Sequence, residues 1–272
     1  MRLRTLLCSL VLALQSFAAG CGHARATSPQ TYFTGDQLAL AQAIYNGALD
    51  DVDTLAQRVG REGLNRPGAR DMTLLFFALQ SAMGEKPRQL QILTALVRAG
   101  ADPTQEVAGF GSVLGVALRA KSPLYVQALL DAGVSPDTVL GSSPILFDAA
   151  REHTAATLAL LLDRGAGIDR KNALGNTTLM EALQGMQLDQ VVFLLDRGAS
   201  PHFVNINGVS FAGQLQFQIG RQQSGSPAQR RMLQIRDRIV GMGVAWPPPS
   251  RDEERQRMRE RGQEPDQLLP IR

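Results

Sequence analysis

The sequence predicts an all-α fold: a solenoid of about six helix–turn–helix units with projecting loops. Three observations predict it. A leucine-rich run closing on Gly-Ala or Gly-Val recurs as LVRAGADP (96–103), LLDAGVSP (129–136), LLDRGAGI (161–168) and LLDRGASP (194–201). Its glycines, Gly100, Gly133, Gly165 and Gly198, step by 33, 32 and 33 residues, and self-similarity at such a period marks a repeat architecture. A second landmark, Ser112-Val113-Leu114, Ser143-Pro144-Ile145 and Thr177-Thr178-Leu179, stands about 21 residues before three of those glycines. The composition agrees: the 272 residues are 44% hydrophobic and only 5% aromatic, which suits close helix packing better than a β-sandwich.

The chain begins with an expected signal peptide, residues 1–20. Met1-Arg2-Leu3-Arg4 is basic, and Thr5 to Ala19 is uncharged and rich in Leu, Val, Phe and Ala. That is the layout of a bacterial export signal, and it is shorter than the roughly 20 apolar residues of a membrane span. Ala18-Ala19-Gly20-Cys21 resembles a lipobox, which makes Cys21 the expected lipidation site; cleavage after Ala26, at Ala24-Arg25-Ala26, is the alternative. Gly22 rather than Asp follows the cysteine, so the expected address is the periplasm, at the outer membrane, with membrane contact only through the lipid. Loss of Arg2 and Arg4 takes the net charge from +3 to +1, and loss of Arg25 takes it to 0, so no basic field points to nucleic acid. Cys8 and Cys21 are the two cysteines, leaving the folded part without disulfide, thiol nucleophile or thiolate ligand, as suits an oxidising compartment.

Residues 21–33 read as a tether, and the repeats occupy 34–246. The stretch 34–59 gives a first helix pair, with Thr34 and Gln37 spaced as a capping box. In the second unit Thr73-Leu74-Leu75 stands farther from Gly100, and the insertion GEKPR (84–88) between two helices accounts for the excess. The fifth unit is the clearest, running from Gly175 to His202. Thr177 occupies an N-cap, where its hydroxyl accepts an orphan backbone N–H. Leu179, Ala182 and Leu183 follow at helical spacing, and Val191, Val192, Leu194 and Leu195 supply the outer helix's buried stripe. Gly198 takes the C′ place, where positive φ carries no Cβ penalty. The sixth unit starts at Gly208-Val209-Ser210-Phe211, carries the insert RQQSGSPAQ (221–229) and stops at Gly241 or Gly243, with Trp246 against its last helix. Residues 247–272 are charged and mixed in sign, which predicts a disordered, solvated tail or a short exposed helix.

Over residues 36–246 these units resemble the ankyrin repeat family. The resemblance implies a turn, an inner helix, a link, an outer helix and a loop at right angles in each unit. It also implies a concave face of loop tips and inner helices that binds another protein without catalysis. The family's Thr-Pro-Leu-His motif is altered: its histidine place holds Phe76, Gly115, Leu146, Met180 and Gly213, and only Ser143-Pro144 keeps the proline. The hydrogen bonds that this histidine makes between turns are therefore not expected, and apolar packing has more to do.

No active-site constellation stands out, and the chain is expected to be a non-enzyme without cofactor or metal. His23, His153 and His202 have no metal-ligand spacing. GFGSVLG (109–115) lacks the Lys-Ser/Thr of a phosphate-cradling loop and falls at a repeat boundary, so it reads as turn chemistry. Asp131, Asp163 and Asp196 recur at one repeat position, which argues for a structural place on the outer helix. The binding residues implied by the resemblance are Asp102, Gln105, Glu106, Asp137, Asp169, Arg170, Lys171, Asn172, His202, Phe203 and Asn205 on loops, with Arg151 and Glu181 on inner helices. Phe203 is either a hot spot or a wedge between loops. The expected partner is a protein: a toxin of a contact-dependent (type VI-like) secretion system, such as a lipase effector, which the chain would neutralise as an immunity protein. The alternative is an envelope enzyme that it organises or protects, for instance in oxidative stress. The free chain is expected to be monomeric.

Overall fold

The structure is a computed structural model, and it describes residues 28–151, 154–267 and 269. The signal peptide, Cys21, the alternative cleavage site and His153 lie outside the described residues. Six successive helix pairs form the array: α1 (Gly35–Asn46) with α2 (Leu49–Asn65), α3 (Leu74–Ala82) with α4 (Pro87–Arg98), α5 (Val113–Arg119) with α6 (Leu124–Asp131), α7 (Ile145–Ala149) with α8 (Ala155–Asp163), α9 (Thr178–Gln184) with α10 (Leu188–Asp196), and α11 (Phe211–Arg221) with α12 (Pro227–Gly241). A thirteenth helix, α13 (Arg251–Glu260), follows. The first helices of the pairs, α1, α3, α5, α7, α9 and α11, stack in chain order as an inner row. Strands among the described residues are confined to two two-residue hairpins in the loops, β1 (Glu106–Val107) with β2 (Gly111–Ser112) and β3 (Val139–Leu140) with β4 (Ser143–Pro144). No helix of the described residues is long and apolar enough to cross a membrane.

Local chemistry sets the helix ends. Thr73, Ser112, Thr177 and Ser210 each cap an inner helix, their hydroxyls accepting from the backbone N–H groups of Phe76, Gly115, Met180 and Gly213 at 3.1, 3.1, 3.4 and 3.1 Å. The residues standing in the family's histidine place thus receive the cap through their backbone. The fourth unit differs: α7 starts after Pro144 with no side-chain cap. Gly100, Gly133, Gly165 and Gly198 end the outer helices at φ of +106, +103, +89 and +90°, where a Cβ would be strained. In the last unit Gly243, at +88°, does this and Gly241 stays in the helix. One apolar core runs through all six pairs, from Phe33 and Leu40 through Phe77, Leu114, Ile145, Leu179 and Leu194 to Leu215 and Ile239.

Three expectations are corrected. Thr34 makes no capping bond; Gln37 instead donates to the carbonyls of Gly63 and Arg66 at 2.7 and 2.8 Å, tying α1 to the end of α2. The packed structure begins inside the expected tether: Pro29–Thr31 forms a 3-10 turn and Phe33 is buried, edge-on to Phe77 at 5.7 Å. The tail is not free of the array either. It forms α13, Glu254 and Met258 are buried, and Asp266 and Leu269 donate backbone N–H bonds to the loop carbonyls of Ile206 and Ala173.

Candidate protein-binding face

Neighbouring loops are stitched by short polar side chains. Asn65 accepts from Asp102 N–H, Asp137 from Gly167 N–H and Asp169 from Ser200 N–H, at 2.7, 2.9 and 3.0 Å. Arg170 adds an ion pair back to Asp137 at 3.3 Å, and Gln105 donates to the carbonyl of Asn65. Asn172 and Asn205, one repeat apart, are both buried and do the same work. Each carboxamide oxygen accepts two N–H groups of its own tip, from Leu174 and Asn176 and from Asn207 and Val209. Asn205 then donates to Asn176, which donates to Glu181 Oε1 at 2.8 Å, so a polar chain runs from the last loop to the inner helix α9. Lys171 Nζ sits 4.2 Å over the Phe203 ring, which makes Phe203 the wedge between two tips rather than an open aromatic. Burial pushes the Lys171 amine below its ordinary value, against the opposite pull of Asp169.

A second ladder joins the outer helices. Arg164 pairs with Asp131 at 2.8 Å, Arg197 with Asp163, and Arg238 with Asp196 at 2.5 Å, each reaching from one unit to the one before. Arg98 reaches forward to the carbonyl of Asp131 at 2.8 Å. The recurrent aspartates therefore hold a structural place, and their partner is the arginine of the repeated Asp-Arg-Gly triplet one unit on, or of α12.

Among the sequence-predicted binding residues, the exposed ones are Asp102, Glu106, Arg151 and His202. Asp102 is partly occupied, since its carboxylate accepts from Thr104 N–H and Oγ1. The open surface lies inside them, on the inner helices. A hollow of about 560 Å³ between the fourth and fifth units is lined by Phe147, Asp148, Arg151, Glu181 and Gln184. A larger groove of about 1510 Å³ continues along the fifth and sixth units, floored by Leu174, Met180, Gln184, Gln214 and Phe217, with Pro248–Arg255 as its far wall. Phe217 is 60% exposed and Leu174 42%, and Arg221 lies 5.5 Å from the Phe217 ring. Sequence reasoning missed both apolar residues. The signal was present for Phe217: Phe211 and Leu215, with the partly buried Ile219, form the core-facing stripe of α11, and Phe217 lies off that stripe between two glutamines. No group of three or more His, Cys, Asp or Glu side chains among the described residues could hold a metal.

Compared with known proteins, the chain matches no family model and no curated sequence. Solved structures do resemble it. The ankyrin repeat domain of Bcl-3, a member of the IκB family, is 25% identical, with a TM-score of 0.52 over 66% of this chain and 79% of that one. An ankyrin repeat domain from Acinetobacter baumannii AYE is 19% identical, with a TM-score of 0.52 over 72% and 96%. A complex of a predatory endopeptidase from Bdellovibrio bacteriovorus with an immunity protein gives 21% identity over 72% and 97%, but its TM-score of 0.48 is too low to bear on function. The chain has the ankyrin-repeat fold, a fold whose business is holding other proteins.

Proposed function

We propose that this chain is a non-catalytic binding module that seats a partner protein in the concave groove of its fourth to sixth units. The observation that carries the reading is Phe217, a large aromatic left 60% exposed on an inner helix, in a groove that Leu174 also lines, with amide side chains around it. Exposed aromatics in a concave, polar-rimmed setting are where interface energy concentrates. The loop residues are largely consumed in holding the loops, so they shape the groove, while Arg151 lines the hollow between the fourth and fifth units.

The finer reading places the module at the periplasmic face of the outer membrane, anchored through Cys21, as an immunity protein that neutralises a secreted toxin. Its support is the export-signal layout and the lipobox resemblance of residues 18–21. The test is capture from envelope extracts with the full-length protein and with Phe217→Asp. The reading expects a secreted effector on the wild type and none on the variant. Recovery of no effector contradicts the immunity role, and recovery of a resident envelope enzyme replaces it with the scaffold role.

A further inference from the structure

The end of the chain does something the repeats do not require. After Pro247, Pro248 and Pro249, helix α13 turns back over the tips of the fifth and sixth loops, and the segment beyond it pairs with them by backbone. Asp266 N–H donates to Ile206 O at 2.8 Å and Leu269 N–H to Ala173 O at 2.9 Å, while Ile206 N–H bonds Leu174 O at 3.0 Å between the tips themselves. Two tip carbonyls thus already accept backbone N–H groups from a third stretch of chain, the first of them from Asp266 in a turn at φ +66°. The approach is close and depends on glycine: a Cβ at Gly208 would lie 2.7 Å from Arg251 O and 2.9 Å from Arg255 Cγ. The hold is nevertheless slight. Within α13 only Glu254 and Met258 are buried, and the remaining side chains are mostly charged and exposed. Arg255 spends its Nη2 on Asp266 within the same segment, at 2.6 Å, and its Nε is buried with no acceptor among the described residues. An unmet buried donor is a standing cost that opening relieves.

We propose that residues 248–267, together with Leu269, form a displaceable strap. The segment occupies in cis the tip carbonyls of Ala173 and Ile206, and the partner takes those same two carbonyls in trans with backbone N–H groups of a peptide segment of its own. The partner's entry builds on the binding function proposed above; the opening of the strap does not. Because an intramolecular occupant competes at high effective concentration, the strap lowers the apparent affinity of any incoming chain until it is released.

The test is hydrogen exchange by mass spectrometry on the full chain, wild type and Met258→Glu, each with and without a synthetic peptide of residues 248–269. In the variant, α13 is expected to exchange about tenfold faster or more while α9 and α11 keep their wild-type rates. Added peptide is expected to slow exchange at 173–175 and 205–209 in the variant and to leave the wild type nearly unchanged. The proposal is overturned if α13 opens only together with α9 and α11, or if the peptide alters nothing in the variant. If Met258→Glu unfolds the whole array, Asp266→Ala, which removes the pair with Arg255, carries the same two expectations. Failed capture of a partner leaves these rates untouched, so the two readings fail separately.

Discussion

The first three units and the last three share one fold but are joined by different forces. In the first half aromatic packing stands beside side-chain-to-backbone hydrogen bonds: Tyr32, Phe33 and Phe77 pack edge to face, Phe76 meets Phe110 at 5.3 Å, and Asn65, Thr94 and Gln105 bond the backbone of a neighbouring unit. The ion pairs of the described residues begin at Asp131, and from there Arg–Asp pairs are added to the Asx stitches that link unit to unit. The lesson is a division of labour. A first half rich in aromatic packing anchors the array, and the second half, whose neighbours are registered by ion pairs as well, can leave its inner face open.

The comparison is broken most severely in the first half. Phe77→Ala removes a fully buried ring from the Tyr32–Phe33 cluster and is expected to cost about 3–5 kcal/mol, read as a lowered denaturation midpoint at unchanged slope. The helix-ending glycines sharpen it. Alanine at Gly198 meets open space and bears only the positive-φ strain, about 1–2 kcal/mol. At Gly100 the new Cβ also lies 3.2 Å from Arg61 Cγ, so Gly100→Ala is expected to cost more than Gly198→Ala in the same thermal melt.

Smaller effects distinguish the second half. The Arg197–Asp163 pair is partly exposed, so Arg197→Ala is expected to cost about 0.2–1 kcal/mol, and the loss is expected to vanish in molar salt. The Phe77→Ala loss is expected to persist there. The smallest effect is acidic. Hydrogen bonds from the Ser250 backbone and hydroxyl hold the Glu253 carboxyl below its usual value, so its support of α13 is complete above the ordinary carboxylate range. That support fades as pH falls through the lowered value. Amide exchange of α13 is expected to rise in acid before that of α9, and Glu253→Gln to flatten the difference.

Much of this was legible beforehand. The glycine steps and the hydroxyl caps are local, each set by one residue's backbone preference, and they gave the array its boundaries. What one residue cannot announce is a partner 33 or 34 positions away. Asp131 and Asp163 were readable as structural, but their arginines, Arg164 and Arg197, became partners only once the units stacked. Gln37 looked like half of a capping box because the spacing was right, yet the carbonyls of Gly63 and Arg66 offered it a buried place. The disordered reading of the tail failed and its short-helix alternative held in part: the composition is that of a solvated segment, yet the helix docks on the array. Two buried side chains and a glycine gap at Gly208 are enough to dock it. At the candidate site the loop residues were named correctly as loop residues, but their polarity serves the neighbouring loop. The open aromatic sat on a helix instead.

The central claim is that the partner is held on the inner face of the second half. A photo-crosslinking residue placed in turn at Phe217, Leu174, Phe110 and Tyr45 in the full-length protein, in its own cells, tests it most directly. All four positions are exposed, the first two in the groove of the second half and the last two in the first half. The account predicts a discrete crosslinked band, carrying the same partner, from positions 217 and 174 and none from 110 and 45. A band from 110 or 45 with none from 217 and 174 would contradict it.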